Sequence, residues 1–333
     1  MARRRAGATF RGPRSERAFH AWLRAGDRPG PGIRLGLGDD AAAVDAPPGR
    51  CAVLSTDALV EGTHFLPESR PGEVGKAAVA VSLSDLAAKG AVPAAVLLAI
   101  LVPPKTPQRW ARDVVRGARE AARAAGAALV GGDTKPAPRR AVVGCVLGWA
   151  DSSLLAPRSG ARPGDLLVTT GTVGRGGAAA GLRGGSPGAR AAAVARMLAI
   201  TPRLAEGRWL ARRARAMIDT SDGIGEAAHL LAEASRVRVV LDARRLPWDP
   251  GLGPARPEDP GWLGQALYGG DYELLAAVPR PSRPIPPRIG RVVGTVAAGR
   301  GAWIDLGGRI VPLPRAGWDP FAALGRTSRG ARS

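Results

Sequence analysis

Apolar residues recur along this chain with two spacings. Short apolar runs bounded by Gly, Pro or polar residues read as buried strands. They are Cys51 to Leu54, Ala94 to Val102, Ala127 to Val130, Ala141 to Trp149, Leu166 to Thr170, Ala216 to Ile218 and Val237 to Leu241. Leu274 to Val278, Arg291 to Val296 and Trp303 to Leu306 extend the series. Helical spacing fills the gaps. Ser15 to Arg24 places Phe19, Trp22 and Leu23 on one face, with Ser15 set to cap it. Val74 to Lys89 reads as a helix, as do Ala191 to Ile200, Arg203 to Arg215 and Gly225 to Ser235. Gln108 to Ala125 is amphipathic, with Trp110, Val114 and Ala118 four residues apart. The glycine-rich Gly171 to Gly177 reads as a phosphate or packing loop ahead of an Ala-rich helix, and the Pro-rich run Pro279 to Arg288 reads as a loop. The tail after Leu324 is expected to fray.

This mixture predicts an α/β fold of mixed α+β type in two parts. The texture changes near residue 150, and Pro157 to Gly164 looks like a connection into a second unit. The expected division is 1–150 and 151–333, in keeping with roughly 100–200 residues per domain.

Composition narrows the function classes. No apolar run reaches the roughly 18 residues of a membrane span. The chain carries 48 Lys plus Arg against 28 Asp plus Glu, a formal charge of +20. A nucleic-acid function is still disfavoured. The arginines are scattered, aromatics make up only 4%, and no stacking platform is interleaved with them. Lysine occurs only at Lys76, Lys89, Lys105 and Lys135, a bias that fits a GC-rich coding sequence. The positive field suits anionic substrates. Cys51 and Cys145 lie in apolar stretches and form neither a metal-type pair nor a disulfide framework. The basic Met1 to Arg5 segment lacks the apolar region of a secretory signal, so a cytoplasmic location is expected.

Against this basic background, six acidic clusters stand among small residues. They are Gly38-Asp39-Asp40, Ser55-Thr56-Asp57, Ser84-Asp85, Gly131-Gly132-Asp133-Thr134, Asp219-Thr220-Ser221-Asp222-Gly223 and Gly269-Gly270-Asp271. Carboxylates brought together would repel, and burial would raise their pKa values; divalent ions remove that penalty. Mg²⁺ is held by a few carboxylates plus substrate phosphates. Asp40, Asp57, Asp85, Asp133, Asp219 and Asp222 are the candidate ligands, placed at the ends of apolar strands where α/β folds put ligands. Any one cluster alone reads first as a turn or helix cap; the force comes from several of the same kind. There is no Gly-x-x-x-x-Gly-Lys-Ser/Thr loop and no protein-kinase string set.

Taken in order, the clusters resemble the thiamine-monophosphate kinase family, within the superfamily of aminoimidazole ribonucleotide synthetase. The resemblance runs from about Ser15 to Phe321. It rests on Gly36-Leu-Gly-Asp-Asp40, Ser55 to Phe65, Ser84 to Pro93, Gly131-Gly-Asp-Thr134, Asp219 to Gly223 and Tyr268 to Leu274. It implies ATP-dependent conversion of thiamine phosphate to thiamine diphosphate, several Mg²⁺ ions, and a homodimer whose N-terminal sheets pair. It implies metal positions at Asp40, Ser55, Thr56, Asp57, Asp85, Asp133, Asp219 and Asp222, and nucleotide positions at Gly132, Asp133, Arg158 and Ser221. Substrate positions fall at His64 and Trp318, with Asp271 standing near a third. Asp57, Asp133, Asp222 and Arg158 are expected to carry the transfer. Bland readings stand beside these: His64 as a structural histidine, Trp318 as cover for the core, Arg158 as a solvated loop residue, and Glu226 with His229 as a solvated helix face.

Three departures bear on the substrate. The family's Gly-Gly-Glu-Asp-Tyr-Glu-Leu is one residue short here, as Gly269-Gly-Asp-Tyr-Glu-Leu274. Lys89 replaces a common Met, and Pro320 a frequent His. Two alternatives stay open: a superfamily relative acting on another substrate, and a non-catalytic basic protein that binds nucleic acid.

Overall fold

The computed structural model describes residues 33–35, 43–44, 46–182, 185–280 and 284–317. The expected helix Ser15 to Arg24, the Asp39-Asp40 cluster, Trp318 and the tail lie outside the described residues. Strand β1 (Ile33–Leu35) pairs antiparallel with β2 (Ala43–Val44).

A four-stranded sheet follows, ordered β3 (Arg50–Val60), β6 (Ala141–Asp151), β4 (Val92–Val102), β5 (Ala128–Pro136). Only β4 and β5 run parallel. Two helices cover one face: α1 (Pro71–Ala88), largely buried, and α2 (Gln108–Ala124). Alternation along β3 separates the faces. Cys51, Val53, Ser55, Asp57 and Leu59 turn inward, while Ala52, Leu54, Thr56 and Ala58 are exposed. Leu54, Leu97 and Val92 leave the opposite face apolar and open, Leu54 at 73% exposure.

The second sheet has seven strands, ordered β13 (Ile310–Pro312), β12 (Gly301–Asp305), β9 (Arg238–Asp242), β11 (Arg291–Ala297), β7 (Leu166–Thr169), β10 (Leu274–Val278), β8 (Ala216–Asp219). Helices α3 (Arg175–Leu182), α4 (Pro187–Leu198), α5 (Leu204–Ala211), α6 (Ile224–Ser235) and α7 (Pro260–Ala266) complete this half. One core forms under α6, from Ile224, Leu231, Leu241, Leu275 and Ile304. A separate cluster welds the halves: Ala87 and Ala88 of α1 pack with Leu210 of α5 and with Met217, Leu274 and Ala276 of the sheet. That junction sets α1 against β8.

The expected apolar cores of most strands and helices are present, with two differences that matter for the site. The Ser55-Thr56-Asp57 cluster lies inside β3, and Gly131-Gly132-Asp133 lies inside β5, not beyond strand ends. Backbone pairing explains this. β3 matches β6 residue for residue from Arg50 to Val60, and such a ladder does not require apolar side chains. Only Asp219 ends its strand. Helix α7 also escaped the apolar pattern, although Asp259 caps it, accepting from Gly261 N (2.8 Å) ahead of Pro260. Among the described residues no helix is long and apolar enough to cross a membrane.

Candidate functional site

Three elements converge at the junction. From β3, Ser55 and Asp57 point inward toward α1. On α1, Ser82 and Asp85 lie three residues apart and share a face. Ser55 Oγ donates to Asp85 Oδ2, and Ser82 Oγ donates to Gly144 O at 3.0 Å, with its hydroxyl close enough to hold down the Asp57 pKa. One residue before Asp85, Ser84 faces the other way and donates to Asp219 Oδ2 at 2.9 Å. Asp219 is 6% exposed and also accepts from Ser221 Oγ at 3.1 Å. A Ser–Asp contact therefore bridges the two halves of the chain.

After β8 the chain turns through Thr220 to Gly223 into α6. Gly223 has φ +99°, and a Cβ there would fall 2.2 Å from Leu267 O, so the turn requires glycine. The turn leaves Asp222 exposed at the mouth. Gly317, at the end of the described chain, runs beside it: a Cβ on Gly317 would stand 2.6 Å from Asp222 O.

The carboxylates feel one another. Burial, and then Asp85, push Asp57 up to about 6. Burial, and then Asp85, push Asp219 up to about 7. Asp222 is raised by burial and by Glu226, while Arg158 opposes the rise. Arg158 therefore stands close enough to act on Asp222, though its side chain is exposed. Asp57 Oδ2 is buried without a hydrogen-bond partner. A buried orphan oxygen among raised carboxyls is a site short of positive charge.

Other expected residues lie elsewhere. Thr56 is on the open face of the sheet, its Oγ1 3.0 Å from Cys145 Sγ. The pairing row Asp57–Gly144–Leu98–Gly132 puts β3 and β5 at opposite edges. Three strand spacings separate them, about 14 Å. Asp133 is about half exposed, accepts from Thr134 N (2.8 Å) and pairs with Lys135 (3.2 Å). Within one chain it does not join Asp57. Gly132, at φ +153°, lies so close to β4 that a Cβ would meet Leu98 O at 1.9 Å.

His64 sits in the turn after β3, its Nδ1 accepting from Val60 N at 3.0 Å. A cavity of about 160 Å³ lies beside this turn, lined by Gly62, Thr63, Phe65 and Leu66 and, from α4, by Arg190 and Val194.

Asp271 is turned into the second half. It is 2% exposed, and its carboxylate accepts from Gly174 N (3.0 Å) and Arg175 N (2.8 Å) at the start of α3. Burial raises it to about 7 against the pull of these amides. The glycine-rich loop is thus a packing loop that holds a protein carboxylate. Glu273 is anchored by Arg203 (2.7 and 2.5 Å) and Thr170 (2.6 Å). Between these anchors Tyr272 adopts φ 55° and packs on the first half's core.

Sequence reasoning missed Ser82, Tyr272 and Lys89 as parts of this frame. Ser82 had a signal, its helical spacing from Asp85. Lys89 donates to Ala156 O and Met217 O, both at 3.1 Å, and burial pulls it down to about 8. Among the described residues no three carboxylates or imidazoles form a ready metal cage. Mg²⁺ needs none, because one or two carboxylates with substrate phosphates suffice. The orphaned Asp57 oxygen and flanking hydroxyls fit that use.

Comparison with known proteins follows the same lines. Residues 38–150 match the family described as AIR synthase related protein, N-terminal domain. Thiamine-monophosphate kinase of Escherichia coli (strain K12) is 36% identical over 261 residues, spanning 75% of this chain and 78% of the relative. The crystal structure of thiamine-monophosphate kinase from Stenotrophomonas maltophilia K279a superposes with a TM-score of 0.73 at 29% identity, covering 86% of this chain and 95% of that one. A structure described as AaThiL complexed with AMPPCP and TMP gives a TM-score of 0.72 at 26% identity, covering 92% and 97%.

Proposed function

The chain belongs to the thiamine-monophosphate kinase family, and on that premise we propose a division of labour among its carboxylates. It phosphorylates thiamine phosphate with ATP, giving thiamine diphosphate. The observation that carries the site assignment is the Ser84–Asp219 bridge, which brings Asp57 and Asp85 of the first half to Asp219 and Asp222 of the second.

Asp57, Asp85, Asp219 and Asp222, with Ser55 Oγ nearby, are the residues that would hold Mg²⁺. Asp40, outside the described residues, is a further candidate. When bound, such ions neutralise the charge between two phosphates and hold them in line. The acceptor phosphate is already ionised near neutral pH, so no general base is needed. That agrees with a site rich in carboxylates and hydroxyls. Arg158, beside Asp222, contributes positive charge toward the transferred group, and Ser221 lies at the nucleotide. His64 and the adjoining cavity mark the thiamine end. Trp318 follows Gly317, which already lies against Asp222. Asp271 is read as an anchor for the loop, its oxygens already taken by α3.

The open apolar face and the distant β5 edge support a homodimer. Exposed apolar patches of this kind mark association surfaces. If the partner's β5 lies along β3, Gly132 and Asp133 of the partner subunit reach Asp57. Each site would then draw nucleotide and metal positions from two copies. A cytoplasmic location suits these substrates.

The test is transfer from terminally labelled ATP to thiamine phosphate and, separately, to free thiamine. Label entering thiamine diphosphate, with inversion at a chiral terminal phosphate, is expected. Label on free thiamine, or retention of configuration, would contradict direct transfer to the phosphate.

A further inference from the structure

A second cavity, of about 270 Å³, opens where the two halves meet. It contains none of the carboxylates assigned above. Arg50 at the start of β3 and Lys89 after α1 line it from the first half, and Arg208 of α5 and Arg212 just past its end from the second. Asp151, at the end of β6, is the one acidic residue in the lining.

Four cations around one small cavity repel one another unless something offsets them. Asp151 does so only weakly. Its Oδ1 is taken by Ser153 N (3.0 Å) and Ser153 Oγ (2.7 Å), and Arg50 and Arg212 act on it only through their field. Among the described residues, the side chains of Arg50, Arg208 and Arg212 make no hydrogen bond or ion pair. Lys89 Nζ spends two of its three N–H donors on Ala156 O and Met217 O, leaving one. The cavity therefore offers three guanidinium groups and an ammonium donor with little to receive them.

We propose that this cavity binds a small inorganic phosphate-class anion, phosphate or diphosphate, at a site separate from the carboxylate cluster. Guanidinium groups match phosphate oxygens in pairs. The lining carries no aromatic ring on which a nucleobase would stack, which disfavours a nucleotide or a nucleic acid strand. The anion would be gripped from both halves. Lys89 also holds Met217 O on β8, two residues before Asp219, so the occupant would brace the strand that carries the site.

The experiment uses the full-length chain in a chelator. Without divalent ions the carboxylate cluster repels anions, so binding there is suppressed. Inorganic diphosphate is titrated calorimetrically at constant ionic strength into the wild type, Arg208→Ala, Arg212→Ala and Arg213→Ala. Arg213 stacks on Trp209 outside the lining and serves as the charge control. One diphosphate per chain is expected, weakened about tenfold by each of the first two changes, corresponding to about 1.4 kcal/mol each. Arg213→Ala is expected to bind as wild type, and all three variants to keep ATP-dependent turnover. Any of three results would overturn the proposal: no binding to the wild type, equal weakening by Arg213→Ala, or displacement of diphosphate by ADP or short duplex DNA at lower concentration than by phosphate.

Discussion

Replacing Asp57 by Asn should stabilise the metal-free protein while abolishing its activity. Asp57 is held among carboxylates with one oxygen buried and unpartnered. Burial and Asp85 lift it from 3.8 to about 6. At about 1.4 kcal/mol per pH unit, that rise corresponds to about 3 kcal/mol of opposition to ionisation in the folded state. Solvent that still reaches the carboxyl reduces the figure, so about 1–3 kcal/mol is expected. The sign follows from linkage. Because the folded-state pKa is raised, ionisation opposes folding, and the penalty grows as pH climbs from 3.8 toward 6 and is complete above it. Urea unfolding in a chelator should therefore show the Asn variant more stable near pH 8, with the advantage gone near pH 4. In the same preparation, turnover with Mg²⁺, ATP and thiamine phosphate should fall about a thousandfold, the scale of losing one electrostatic element of a transition state. A variant less stable than wild type at pH 8 in chelator, or one that turns over at a near-normal rate, would contradict this role for Asp57.

Other outcomes follow from the same contacts. Arg203→Ala leaves the 5%-exposed Glu273 without its partner and should cost about 3–5 kcal/mol in urea unfolding, since a buried charge is left uncompensated. Gly132→Ala drives a methyl into Leu98 O and should cost ATP affinity in nucleotide titrations, while Gly188→Ala, with open space around it, should change nothing. Asp271→Ala should lower the unfolding midpoint by freeing the start of α3, whereas Asp271→Asn, which keeps an acceptor oxygen, should retain most of both stability and thiamine phosphate KM.

Much of the frame was legible because apolar runs mark buried strands and helices whatever the fold. α1, α2, β4 and β10 lie within a few residues of the pattern's bounds. The pattern failed where side chains do not decide the strand. Ser55-Thr56-Asp57 and Gly131-Gly132-Asp133 look like loops, yet ladder bonds to β6 and β4 carry them through as strand. Strand periodicity then decides chemistry: Asp57 faces inward and its neighbour Thr56 outward. Composition and order offered Asp40, Asp57, Asp85, Asp133, Asp219 and Asp222 as one group; the fold gathers Asp57, Asp85, Asp219 and Asp222 and leaves Asp133 at the far edge of the sheet. Which of them touch was not legible, because that depends on the packing of α1 against β8. The role of Asp271 was hidden for the same reason. In sequence it is one more Gly-Gly-Asp; in the fold the N–H groups of α3 claim its carboxylate.

We propose that carboxylates from both halves form one divalent-ion and phosphate site. Crystals grown with Mn²⁺ and a non-hydrolysable ATP analogue test it directly through anomalous scattering. Anomalous peaks between Asp57 or Asp85 and Asp219 or Asp222, touching the analogue's phosphates, are predicted. Peaks confined to one half, or phosphates bound away from these residues, would contradict it.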